Sequence, residues 1–256
     1  MIFFVSNKKE ISYSELINQI NKGTTADFFC SFVADLVTNT DIDLSSYTLN
    51  KKCGNIESIE DLKNKILSSK FKIILKTSGT TGNPKRKTHN VSFLISNTKD
   101  LKSRNCWLFT YNKFHMGGVQ VLLQALRNLD TIIDVYKQDR EYVFRMIEEY
   151  TVTNISATPT FYRMLLPVEK SFASVKRATV GGERTDSATI KIINKYFPNC
   201  KINNIYATTE TGAILFSSTE VFELNSNVVV KDNILFVKDP DGGLHDTGDL
   251  VEMLDD

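Results

Sequence analysis

Residues 77–85 read Thr-Ser-Gly-Thr-Thr-Gly-Asn-Pro-Lys and follow closely on the apolar run Ile73-Ile74-Leu75. Thr77, Ser78, Thr80 and Thr81 supply hydroxyls, and Gly79 and Gly82 let the backbone turn tightly and approach a ligand. Lys85 adds a compact positive charge. That inventory suits a polyphosphate. It is not a Walker A loop, because G-x-x-x-x-G-K-[ST] counted from Gly79 meets Pro84 where Gly is required and Arg86 where Ser or Thr would hold magnesium. Nor is there a G-x-G-x-x-G dinucleotide fingerprint here.

Four more clusters carry chemistry. Gly181-Gly182-Glu183 follows the strand-like run 175–180. Tyr206-Ala207-Thr208-Thr209-Glu210 joins an aromatic ring, hydroxyls and a carboxylate. An aromatic face packs on a base, and a hard cation takes carboxylate oxygen together with substrate phosphate. Thr247-Gly248-Asp249 offers a carboxylate able to accept from two vicinal hydroxyls. Phe114-His115-Met116-Gly117-Gly118 places an imidazole beside an aromatic ring. Taken singly, each of these also reads as a turn, a strand end or, for His115, a helix-start histidine with a capping role.

Residues 77–86 resemble the phosphate loop T-S-G-[ST]-T-G-x-P-K-G of the adenylate-forming superfamily, which includes acyl- and aryl-CoA synthetases, peptide-synthetase adenylation domains and luciferases. Only the last position departs, where Arg86 stands for Gly. The later motifs occur in the family's order, so the likeness spans residues 77–249. The resemblance implies that Thr77, Ser78, Gly79, Thr80, Thr81, Gly82 and Lys85 bind the ATP phosphates. It implies Gly182, Glu183 and Tyr206 at adenine, Thr209 at the α-phosphate, Glu210 on Mg²⁺ and Asp249 on the ribose. His115 would face the acyl group. Amino-acid-activating relatives usually carry Asp in that region, so His115 implies an acid without an α-ammonium group. Ala207 replaces the family's usual Gly, and its methyl is expected to narrow the adenine slot.

The implied activity is ATP-dependent activation of a carboxylic acid as an acyl-adenylate with release of pyrophosphate. Thioester formation with CoA, or with a carrier-protein thiol, would follow when a C-terminal domain is present. Lys85, Thr209, Glu210 and His115 are the expected catalytic residues. Arg86 and Ala207 motivate a second reading, a catalytically impaired nucleotide- or acyl-binding relative. In size and motif order the chain is similar to the compact o-succinylbenzoate–CoA ligases. The family's small C-terminal lid domain is expected to be absent from these 256 residues.

Composition is compatible with this and excludes other classes. Hydrophobic residues make up 41%, as in ordinary globular proteins, and the formal net charge of +1 creates no field favouring nucleic acid or an anionic membrane. Cys30, Cys53, Cys106 and Cys200 are widely spaced without C-x-x-C, which fits a reducing cytoplasm rather than a zinc site or disulfide framework. No run approaches a membrane span, and the apolar start is too brief for a signal peptide. The basic run Lys85-Arg86-Lys87 with His89 reads as a solvated loop that also concentrates anions.

These residues need elements to position them. Ser12-Tyr13-Ser14-Glu15 is a capping box whose helix should stop at Gly23. Residues 26–37 read as a buried helix or strand, 38–56 as loop, 58–67 as a helix, and 72–77 as the strand feeding the phosphate loop. Helices are predicted over 90–101, 119–129, 139–150 and 186–196, with strands over 106–110, 131–135, 154–157 and 201–206. Thr158-Pro159 marks a further helix start. This alternation predicts an α/β fold of mostly parallel sheets flanked by helices. Two runs flanking Lys231-Asp232-Asn233 predict a hairpin. The expected division is an adenylation core over 1–212 and a small β-rich portion over 213–256.

Overall fold

Short apolar runs become strands and amphipathic stretches become helices, as their periodicities predict. The computed structural model describes residues 1–7, 9–49, 53–76, 86–208, 212–238 and 243–254. Its contacts divide into two units, the first running to Ser156 and the second starting at Ala157.

The first unit contains β1 (Ile2–Ser6), β2 (Lys9–Ser12), α1 (Tyr13–Lys22), α2 (Phe28–Val37), β3 (Ile42–Asp43), α3 (Ile59–Leu67), β4 (Lys72–Lys76) and β5 (Arg86–Asn90). It continues through α4 (Val91–Ser96), β6 (Cys106–Phe109), α5 (Met116–Asn128), β7 (Thr131–Asp134), α6 (Arg140–Glu149) and β8 (Asn154–Ala157). β8, β6, β7 and β1 pair in parallel in that order, and β2 joins β1 antiparallel. β4 pairs parallel with β3 and antiparallel with β5 in a separate three-stranded sheet. The second unit contains α7 (Pro159–Met164), β9 (Arg177–Gly181), α8 (Ser187–Tyr196), β10 (Lys201–Thr208), β11 (Gly212–Ser217), β12 (Val228–Lys231), β13 (Ile234–Lys238) and β14 (Leu244–Leu250). β9 and β10 are parallel, β11 is antiparallel to β10, and β12, β13 and β14 form an antiparallel sheet. The α/β class with mostly parallel strands and a small β-rich portion is as expected.

Local signals explain the boundaries. Ser12 Oγ accepts from the Glu15 N–H at 3.1 Å while Glu15 accepts from the Ser12 N–H at 2.7 Å, and Gly23 ends α1 in the left-handed conformation. The ambiguous run 26–37 is a helix. Asp27 caps it by accepting from the Cys30 N–H at 2.9 Å, and nearly every residue is buried, so no periodicity showed. Its rings knit the core: Phe29 stacks on Phe4 with centroids 4.2 Å apart, and Phe28 meets Phe114 edge-on at 5.2 Å. Each such aromatic pair is worth about 0.5–1.5 kcal/mol beyond its buried area.

Two expectations are corrected, and one motif is placed in a strand. The predicted helix over 90–101 stops at Ser96, because α5 captures the following backbone: Gln124 accepts from the Lys99 N–H and Asn128 from the Leu101 N–H, each at 2.8 Å. The basic run after residue 85 continues as a strand, not a loop. β5 pairs with β4 over its whole length and turns His89 into the interior. Thr247-Gly248-Asp249 is part of β14, where the register slips between Ile234 and Phe236. No helix among the described residues is long and apolar enough to cross a membrane.

Candidate active site

A cleft of about 340 Å³ opens in the first unit, lined by Ser45, Ser46, Tyr47, Lys76, Phe114 and His115 among others. Sheet register places its polar groups. Asp43 lies opposite Ile74, and Arg86 opposite Lys76, so all four project from one face of the three-stranded sheet. Arg86 pairs with Asp43 across the intervening strand. The same carboxylate accepts from the Ser45 N–H at 2.9 Å, the Ser45 hydroxyl at 2.6 Å and the Ser46 hydroxyl at 3.1 Å. These hydrogen bonds, led by the Ser45 hydroxyl and aided by the Arg86 charge, hold the Asp43 carboxyl below the ordinary carboxylate range.

The aromatic wall is fixed from behind. Tyr47 donates its phenol to Asp35 Oδ2 at 2.8 Å, and its ring meets Phe28 edge-on at 5.2 Å. Burial, followed by the Asp35 charge, pushes the Tyr47 phenol well above its ordinary value. Phe114 packs on the same Phe28 ring, so Phe28 of α2 braces both walls.

His115 is the N-cap residue of α5, but through its backbone: its carbonyl accepts from the Val119 N–H at 3.0 Å, and its side chain makes no cap bond. His115 is also one of the residues that line the cleft. Gly118 makes this possible. A Cβ there would lie 2.5 Å from the Asn112 carbonyl oxygen, so only glycine lets the loop leading to His115 fold against the first turn of α5.

In the second unit, β9 and β10 run parallel with Gly181 opposite Ile205, so Gly182 and Tyr206 follow side by side towards the carboxyl ends of these strands. Crevices outside such ends are where open α/β sheets bind ligands. A Cβ on Gly181 would meet the Ile205 carbonyl oxygen at 2.8 Å, and Gly182 sits at φ +80° in an exposed turn. Glu183 accepts from the Thr160 hydroxyl at 2.6 Å and the Thr160 N–H at 3.2 Å, with Arg163 3.7 Å away. Its carboxylate therefore fastens the turn to the start of α7. Tyr206 packs its half-buried ring against Ile214, Leu215 and their neighbours, and donates its phenol to Asp249 Oδ2 at 2.5 Å. Asp249 itself is exposed on β14. Thr247 steadies that stretch by donating to the Leu235 carbonyl at 2.6 Å and accepting from the Asp249 N–H at 3.2 Å.

Of the residues expected from sequence, Tyr206 and Asp249 are brought together, Gly182 adjoins Tyr206 by register, and His115 lies on the first unit's cleft. Thr77, Ser78, Gly79, Thr80, Thr81, Gly82, Lys85, Thr209 and Glu210 lie outside the described residues. Among the described residues no three His, Cys, Asp or Glu side chains gather to hold a metal. Sequence reading missed Asp43, Ser45, Ser46, Tyr47 and Lys76. The first four sit in or beside a polar stretch without motif. Lys76 carried one signal, its place immediately before the Ser/Thr/Gly run.

The model of the AMP-binding enzyme family matches residues 37–248. A 2-succinylbenzoate–CoA ligase from Bacillus cereus is 25% identical over 194 residues, covering 71% of this chain and 40% of that protein. A 4-chlorobenzoate–CoA ligase from Pseudomonas sp. is 31% identical over 147 residues, covering 52% of this chain and 28% of the relative. The chain thus spans less than half the length of these relatives. Among solved structures, a luciferase-like enzyme from the nonluminescent mealworm Zophobas morio superposes with a TM-score of 0.65 at 13% identity, covering 99% of this chain and 92% of the other. At that identity the likeness shows a shared fold.

Proposed function

The chain belongs to the AMP-binding enzyme family, and from that premise we propose that it activates an aryl carboxylic acid with ATP. The acid's carboxylate oxygen attacks the α-phosphorus, an acyl–phosphate bond forms, and the bond to the departing pyrophosphate breaks. The protein's part is positioning and charge neutralisation. Aryl acids are favoured because two of the relatives are named for benzoate derivatives and because the aromatic residues Tyr47 and Phe114 line the cleft.

The observation that carries this reading is the Tyr206–Asp249 pair beside Gly182. It suits a nucleoside: a half-buried ring for the base, an exposed carboxylate to accept from ribose hydroxyls, and an unhindered glycine backbone. In the proposal Asp249 accepts from the ribose and Tyr206 packs on adenine, while Glu183 steadies the turn that carries Gly182. His115 donates to the acid's carboxylate. The stretch Thr77–Lys85 and Thr209 would take the phosphates, and Glu210 would take Mg²⁺, whose chemistry is to neutralise phosphate charge. A later transfer to CoA or a carrier-protein thiol, the division into a core over 1–212 and a β-rich portion over 213–256, and a cytoplasmic setting belong to the same proposal.

Acid-dependent exchange of labelled pyrophosphate into ATP tests it. Exchange should appear with aryl acids and fall by about 10²–10³ in Lys85→Ala and Glu210→Ala. ATP binding without exchange for any acid, even after a family C-terminal domain is supplied, would leave a binding module in place of an enzyme.

A further inference from the structure

We propose that Lys113 is a positioning residue for the acid: its ammonium, held over the rings of Phe28, Phe29 and Phe114, fixes the loop that brings Phe114 and His115 to the cleft. This rests on the acid-activation reading above and adds to it a residue from behind the cleft wall.

The inference comes from a charge in an aromatic setting. Lys113 belongs to the segment 110–115 that joins β6 to α5. The backbone around it is tied down. Thr110 donates its hydroxyl to the Ser156 carbonyl at 2.8 Å. Asn112 accepts from the Phe114 N–H through Oδ1 and from the His115 N–H through its carbonyl, each at 3.0 Å. The half-buried Lys113 side chain takes part in no ion pair among the described residues. Its ammonium stands 5.1 Å from the centre of the Phe28 ring, 5.9 Å from Phe29 and 5.6 Å from Phe114. At such distances a cation is drawn to the negative face of a ring. Phe28 and Phe114 also meet edge-on, so one charge spans a ring pair whose second member lines the cleft. A carboxylate acts on the same ammonium. Burial raises the Asp134 carboxyl at the end of β7, and the Tyr136 N–H and the Lys113 charge draw it back down. That attraction is mutual, so it also pulls Lys113 towards β7. A methionine at this position would pack on the same rings but feel no pull from Asp134. The seat of Phe114 therefore depends on charge as well as on shape.

Calorimetric titration of the full chain tests this in the wild type, Lys113→Met and Lys113→Arg. The probes are benzoate and 4-chlorobenzoate, with ATP and Mg²⁺ as a separate arm. Lys113→Met should weaken binding of the tighter acid about five- to ten-fold and leave ATP affinity unchanged. Lys113→Arg keeps the charge and stacks on rings, so it should restore most of the loss. The urea midpoint of Lys113→Met should hardly move, because its apolar side chain keeps the packing. Unchanged acid affinity in Lys113→Met overturns the proposal, as does a Lys113→Arg chain as weak as Lys113→Met. A parallel loss of acid and ATP affinity overturns it too, since Lys113 would then merely support the fold, and so does a wild type that takes up neither acid. Failure of the wild type to bind ATP, with acid binding that still depends on Lys113, would count against the acid-activation reading and leave this proposal standing.

Discussion

The Tyr206 phenol donates to Asp249 Oδ2, joining β10 to β14 across 43 positions of sequence. One bond thus fixes both an aromatic ring and a carboxylate. The two residues should differ in what they lose. Asp249→Ala removes the acceptor that the proposal assigns to ribose and should weaken ATP binding about ten-fold or more, since hydrogen bonds to charged groups are worth about 1.5–3 kcal/mol. Tyr206→Phe keeps the ring and should cost less than Asp249→Ala. Calorimetry on both variants checks the order, and a larger loss for Tyr206→Phe would contradict it.

Gly118 is a packing requirement with a functional consequence. Gly118→Ala should gain about 1 kcal/mol in helix propensity. It should lose more, because a Cβ 2.5 Å from the Asn112 carbonyl oxygen forces backbone to move, and overpacking of this kind costs about 1–3 kcal/mol. The urea midpoint should fall, and aryl-acid affinity should fall with it because the loop carrying His115 shifts. An unchanged midpoint would show that the contact relaxes freely.

Asp43 should matter more to binding than to stability. Its pair with Arg86 is largely solvent-exposed, and such pairs contribute about 0–1 kcal/mol. Asp43→Asn should therefore lower stability only slightly at neutral pH, by the contribution that the wild type itself loses in acid. It should nonetheless weaken acid binding, because Ser45, Ser46 and Arg86 all take their positions from that carboxylate. The pH dependence has a defined sign. The folded carboxyl is held below its unfolded value, so its stabilising contribution is present above about pH 4 and disappears as pH falls through the folded value. Wild-type stability should drop more steeply than that of Asp43→Asn in acid below about pH 4. Parallel curves would remove Asp43 as a contributor.

Much of the frame was legible because local chemistry decides it. Ser12 with Glu15, Ser58, Asp139, Thr158 and Asp186 all cap the helices that follow them. The hairpin at Asp232-Asn233 closes with both residues at positive φ, a conformation asparagine and aspartate tolerate. What escaped reading was decided by distant partners. Arg86–Asn90 looks like a loop by composition and is a strand because β4 offers a ladder. The cleft is assembled from residues 44–47, 76 and 114–115, separated in sequence and brought together by strand register and by Phe28. Motif order pointed to Tyr206 and Asp249 separately, and only the fold shows that they touch.

The central claim is that one chain accepts an adenosine and an acyl group together. Titration of the folded 256-residue chain with a nonhydrolysable benzoyl-adenylate mimic tests it most directly. One molecule should bind per chain, tighter than AMP or benzoate alone, and Asp249→Ala should weaken it about ten-fold or more. No binding by well-folded protein, or binding that Asp249→Ala leaves untouched, would contradict the account.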